Sequence, residues 1–192
     1  MSDTETTKDA APADMKAWKA TYAEGMAAIA AAGDDTAAAT AAGEKLMDTF
    51  WSKYYNKATT SIWTMTYDEA ADTADLEEAK GIVTDFMKNP GMLPNTDEDD
   101  DTKKKKANMA EHCFGVMHTC ANLDIEGLWF FNAPDPEGLF SANEDTSWYT
   151  WAQLGPEAND GVKAAVAKYL TPSDKKIDNK EIKDSRNYGS FE

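Results

Sequence analysis

Apolar residues recur along the chain at two spacings, about 3.6 residues and two residues, and the alternation between them lays out the elements. Met15, Trp18, Tyr22, Met26 and Ile29 keep helical spacing behind Asp14, whose side chain suits an N-cap, and Gly33 marks the stop. Residues 34–43 are Ala-rich and of low complexity, which predicts a weakly specified helix. Leu46, Met47, Phe50, Trp51, Tyr54 and Tyr55 then give a second amphipathic helix one wide apolar face. From Ser61 to Tyr67 the period drops to two. Trp63, Met65 and Tyr67 fall on one face and Ile62, Thr64 and Thr66 on the other, as in a strand. Thr73 is placed to cap a third helix with the stripe Leu76, Ala79, Val83, Phe86 and Met87. Gly81 inside that stripe costs about 1 kcal/mol against Ala, which points to close packing there.

Asn89-Pro90-Gly91 ends the third helix. Residues 91–106 carry an acidic block and then the Lys103–Lys106 run, and read as a mobile, solvated loop whose charges neutralise one another. A role in nuclear import or partner docking is the functional alternative. Ala107–Asn122, Leu128–Phe131 and Ser147–Leu154 read as further strands, with a proline-bearing turn over 132–138. Leu154-Gly155-Pro156 breaks the last of them. Asn159 or Asp160 caps a final helix bearing Val162, Val166, Tyr169 and Leu170. Strands joined by short links pair antiparallel, and helices cover the sheet, so the expected fold is α+β in a single domain. That domain spans 14–170, between a flexible acidic tail (1–13) and a polar, Lys/Asp-rich C-terminal tail (171–192).

Composition narrows the partners. Apolar residues are 42% of the 192 and aromatics 10%, enough for an ordinary core. The net charge of −16 disfavours direct contact with nucleic acid or an anionic membrane surface, both of which want clustered positive charge. A basic protein partner is compatible with it. No run of about 18 apolar residues exists, so no membrane span is expected. The polar, acidic N-terminus has neither the basic start nor the apolar stretch of a signal peptide, which points to the cytoplasm and to thiols at Cys113 and Cys120. Seven residues apart on one strand, they would sit on opposite faces.

The chemistry-bearing residues are few. His112, Cys113, His118 and Cys120 form H-C-x4-H-x-C, which invites a metal reading. On one strand, however, the two histidines would lie roughly 20 Å apart at about 3.3 Å per residue. His118 and Cys120 are same-face neighbours, but a structural zinc takes four ligands. The same pair could be a nucleophile and base, yet no orienting acid or oxyanion hole accompanies it. No phosphate-binding glycine loop and no H-E-x-x-H is present. The reading assigns no catalytic, cofactor-binding or metal-binding residue and expects no cofactor. The positive signal is aromatic: Trp51, Trp63, Trp129, Trp148 and Trp151 all fall on expected elements. An exposed aromatic face of the sheet would make a natural interface.

The order of these aromatic segments carries a resemblance. Phe50-Trp51, then Ser61-Ile62-Trp63 with Tyr67, then the helix ending at Phe86-Met87, lead to Glu126-Gly127-Leu128-Trp129-Phe130-Phe131. Trp148-Tyr149-Thr150-Trp151-Ala152-Gln153-Leu154 and the helix through Val166 and Tyr169 follow. Over about 14–170 the chain resembles the C-terminal domain of eukaryotic translation elongation factor 1 gamma. The Gly-Leu-Trp and Tyr-Thr-Trp segments are the most specific parts, and Met15-Lys16-Ala17-Trp18-Lys19 with Tyr22 resembles the family's opening segment. The resemblance implies an antiparallel sheet flanked by helices. It also implies a non-catalytic scaffold role in the elongation factor 1B complex, with that complex's other subunits and elongation factor 1 alpha as partners. The glutathione-transferase-like N-terminal domain that family members usually carry has no counterpart in the 192 residues. Two alternatives stay open: an adaptor using the same fold in an unrelated complex, and a thiol- or glutathione-dependent enzyme.

Overall fold

The computed structural model describes residues 13–88, 112–136 and 144–188. Within them four helices and a six-stranded antiparallel sheet make a single α+β unit, the sheet curled into a half-barrel. The helices are α1 (Met15–Ala31), α2 (Thr36–Thr49), α3 (Leu76–Lys88) and α4 (Asp160–Leu170). The strands are β1 (Ser61–Tyr67), β2 (Cys113–Cys120), β3 (Ile125–Phe131), β4 (Tyr149–Leu154), β5 (Lys176–Ile177) and β6 (Lys180–Asn187). Their spatial order is β4-β1-β3-β2-β6-β5, all neighbours antiparallel.

The middle of the sheet is buried from both sides. On one side Trp18 and Tyr22 of α1, Leu46 and Met47 of α2, and Val166 and Leu170 of α4 pack on Ile62, Phe114, Val116, Leu128 and Phe130. Trp18 is fully buried, its ring centroid 4.9 Å from Phe50 and edge-on to Phe114 at 5.7 Å. On the other side α3 lays Ala79, Val83, Phe86 and Met87 against Met65, Met117, Trp129, Phe131 and Tyr149. This is why every position of β2 and β3 is buried, with no alternation of exposure along either strand.

Local signals set the helix ends. Asp14 accepts from the Ala17 amide at 2.9 Å, and Asn159 accepts from that of Val162 at 3.0 Å. Gly33 takes the left-handed φ of +54° that closes α1. At α3 the cap is not Thr73. Asp75 accepts from the amides of Glu77 and Glu78 at 2.9 and 3.0 Å, while Glu78 reaches back to the Ala74 amide. Thr73 is buried instead, and its hydroxyl has no hydrogen-bond partner among the described residues. The Ala-rich stretch is part of α2, which runs on into one turn of π-helix, Phe50–Tyr54. That turn buries Phe50 and Tyr54 while Trp51 and Tyr55 stay half-buried beside them.

The largest correction falls on residues 171–192, expected as a loose tail. Residues 176–187 form the β5–β6 hairpin, and β6 pairs with β2 from Val116↔Asn187 to Cys120↔Ile182. Ile177 and Tyr188 are fully buried. Burial of such side chains contributes about 1.5–3 kcal/mol each, enough to hold a strand whose other residues are mostly charged. Two strands also start later than expected. β2 begins at Cys113, so His112 precedes it, and β4 begins at Tyr149, so Trp148 ends a short 3₁₀ turn, Glu144–Trp148. The charged loop 91–106, the N-terminal 1–12 and the start of the expected strand at 107–111 lie outside the described residues.

Candidate functional site

The residues singled out by the sequence separate into two places. His112 lies before β2, with its carbonyl accepting from the Asn132 amide at 2.7 Å, and Cys113 faces α3. His118 and Cys120 lie on the opposite face, toward α4. Both cysteines remain thiols. Among the described residues no three or more His, Cys, Asp or Glu side chains come together as a metal site would require.

His118 is buried with both ring nitrogens engaged. Nε2 is 2.9 Å from the Tyr169 carbonyl oxygen and Nδ1 is 2.8 Å from Ser185 Oγ. A carbonyl only accepts, so Nε2 carries the proton and the Ser185 hydroxyl donates to Nδ1. Burial pushes the imidazole down to about 4, against the opposing pull of the Tyr169 carbonyl and Asp184. The Cys120 thiol is pushed up to about 11 by burial, with Glu126 adding and Lys180 opposing. A thiol held that high is a poor nucleophile at neutral pH.

Glu126 stands opposite His118 in the β2–β3 register and is 4% exposed. It is ion-paired with Lys180 and accepts from the Tyr169 hydroxyl at 3.3 Å. Lys180 also reaches Asp124 at 2.7 Å. Burial pulls the Lys180 ammonium down, but its hydrogen bonds to Asp124 and Glu126 outweigh this and hold it above the usual lysine range. The cluster therefore joins β2, β3, β6 and α4 through polar groups whose partners are one another. His118 and Cys120, weighed above as a base and nucleophile and not assigned that role, lie beside this lock.

A second feature lies on the α3 side. Tyr67, Ile82, Asp85, Phe86, Asp145, Trp148 and Tyr149 line an open cleft of about 250 Å³. Its floor is aromatic: the Tyr149 ring is 4.7 Å from Phe86 and 5.2 Å from Tyr67. Trp148, 53% exposed, is the exposed large hydrophobic among the described residues. The turn that carries it is pinned by Asp68 N–H donating to the Trp148 carbonyl and by Trp151 Nε1–H donating to that of Thr146, both 3.0 Å. Trp63 and Trp151 stay half-buried on the α3 side of β1 and β4, and Trp148 at this corner is the aromatic left exposed. The expected strand Ser147–Leu154 includes Trp148, which instead ends the turn before β4. The polar Glu144-Asp145-Thr146-Ser147 stretch before it is the signal for a turn.

No protein-family model and no curated protein matches the chain. Among the described residues no helix is long and apolar enough to cross a membrane.

Proposed function

We propose that the protein is a non-catalytic scaffold or interaction subunit of the translation elongation factor 1B complex, acting in the cytoplasm. The observation that carries this reading is the joint placement of the aromatic segments behind the resemblance. Ser61-Ile62-Trp63, Gly127-Leu128-Trp129 and Tyr149-Thr150-Trp151 occupy the adjacent strands β1, β3 and β4, with Trp63 opposite Trp129 and Met65 opposite Trp151. Phe50 closes over the same sheet, 5.0 Å from Phe130. Segments far apart in sequence therefore form one packed unit, as a shared domain core requires. The scaffold reading is further supported by His118 and Glu126, whose polar atoms are turned to structural partners, and by Cys120, whose buried thiol is held protonated at neutral pH.

The test is affinity purification of the tagged chain from its native cytosol at moderate salt, with mass spectrometry of the co-purifying proteins. Recovery of elongation factor 1 alpha with its exchange subunits is the expected result. A stable but unrelated set of partners would overturn the translation reading and leave an adaptor. Retention on glutathione resin would argue for the thiol-dependent alternative.

A further inference from the structure

We propose that the cleft under Trp148 is a docking site for a basic segment of a protein partner, which places a lysine or arginine side chain against its aromatic wall. The inference rests on the reading of the chain as an interaction domain, though not on which assembly it joins.

Three observations converge on a cationic occupant. The first is shape: at about 250 Å³ the cleft is smaller than the about 300–1,000 Å³ of small-molecule pockets. It suits one side chain of a larger partner. The second is the wall. Trp148, Tyr67, Tyr149 and Phe86 offer ring faces and edges within one opening, and indole and phenol faces attract cations. The third is charge. Asp85 and Asp145 line the cleft, and among the described residues no lysine or arginine does. Asp85 is exposed, and no ion pair joins it to another described residue. Glu69, Glu78 and Asp72 lie close enough to add to burial in raising the Tyr67 phenol, so the negative field extends beyond the opening. The net charge of −16 gives the same preference at long range. A guanidinium or ammonium group entering here would meet rings below and carboxylates at the rim. An anionic group entering here would be repelled by Asp85.

The experiment is a titration of the full chain, isotope-labelled, with a blocked tetra-arginine peptide, following the indole N–H resonance of Trp148. A blocked tetra-glutamate peptide is the control. The expected result is a saturable shift of that resonance with the basic peptide alone. By titration calorimetry with the same peptide, Trp148→Ala should weaken binding about tenfold, and Trp148→Phe, which keeps a ring face, by less. Asp85→Asn should weaken it several-fold, while Asp34→Asn on the remote α1–α2 turn should not. An unmoved Trp148 resonance would overturn the proposal. Equal loss in Asp85→Asn and Asp34→Asn would also overturn it, since attraction would then be a property of the whole acidic surface. If changing Lys103–Lys106 to Gln shifts the resonance in the peptide-free chain, the occupant is the chain's own lysine run and not a partner. The purification above separates the two readings. Elongation factors co-purifying with a silent Trp148 would sink the cleft alone, and a responsive Trp148 without those factors would sink the assembly alone.

Discussion

Gly115 and Trp129 face each other across the β2–β3 ladder, and the indole occupies the space a side chain at 115 would need. A Cβ built at Gly115 would lie 2.4 Å from the Trp129 ring. The indole cannot swing away easily. It is fully buried, packed edge-on against Phe86 at 5.7 Å, and its Nε1–H points at Met65 Sδ. Gly115→Ala should therefore destabilise the fold by overpacking, by about 1–3 kcal/mol. The readout is the urea midpoint followed by tryptophan fluorescence. An unchanged midpoint would show that the ring can give way.

His118 makes stability depend on pH in a definite direction. The imidazole titrates near 6.5 when unfolded and near 4 when folded, because burial penalises its charged form. Between those values the unfolded chain binds more protons, so stability rises with pH there and falls as acid is added. Above 6.5 this contribution is constant. Across the window it amounts to roughly 3 kcal/mol. The groups facing His118 are Ser185 and Asp184 of β6, Glu126 of β3 and Tyr169 of α4. The measurement is the unfolding free energy from pH 7 to pH 4 in the native chain and in His118→Gln, which should have the shallower slope. Nuclear magnetic resonance titration of His118 in the native chain provides a second check. A midpoint near 6.5 there would refute the assignment.

Much of the fold was legible because its elements carry one-sided or periodic apolar patterns. Ser61–Tyr67 alternates cleanly, and the α3 stripe from Ala79 to Met87 matches its buried face. What escaped reading was β6, whose sequence Lys-Glu-Ile-Lys-Asp-Ser-Arg-Asn is nearly all polar. It is placed by a few contacts far apart in sequence: Ser185 on His118, Lys180 on Glu126, and Ile182 among the partly buried residues of the core. One local signal was available. Asp178 and Asn179 both take positive φ, 47° and 67°, between the paired Ile177 and Lys180. A two-residue Asp-Asn link of this kind is a hairpin turn. The candidate site was hidden for a related reason. The motif His112-Cys113-x4-His118-x-Cys120 drew attention to one strand, whereas the exposed Trp148 gains its neighbours only when α3 folds beside β4.

Truncation tests the place of β6 directly. A chain ending at Thr171 loses Ile177 and Tyr188 from the core and strips β2 of its outer partner. It also leaves His118 Nδ1 without Ser185 and the buried Glu126 without Lys180. Removing one member of a buried charged pair is costly, about 3–5 kcal/mol when fully enclosed, and less here because Lys180 is 31% exposed. The truncated chain should show no cooperative thermal transition by circular dichroism. Ser185→Ala, which removes only one hydrogen bond, should melt cooperatively at a lower temperature. A truncated chain melting like the full one would mean that β6 is dispensable.

Gly81 offers the opposite outcome from Gly115. It was expected to allow close packing within α3, but a Cβ built there meets nothing within 4 Å among the described residues. Its φ is not in the left-handed region, so the backbone does not require glycine either. What remains is the helix-propensity cost and the extra freedom glycine gives the unfolded chain. Gly81→Ala should therefore stabilise the protein by about 0.5–1 kcal/mol. The urea midpoint should rise while the denaturant slope stays the same, since little surface changes. A lower midpoint would mean that something packs onto this face of α3, and affinity-purified complexes compared between the native chain and the variant would then identify a partner there.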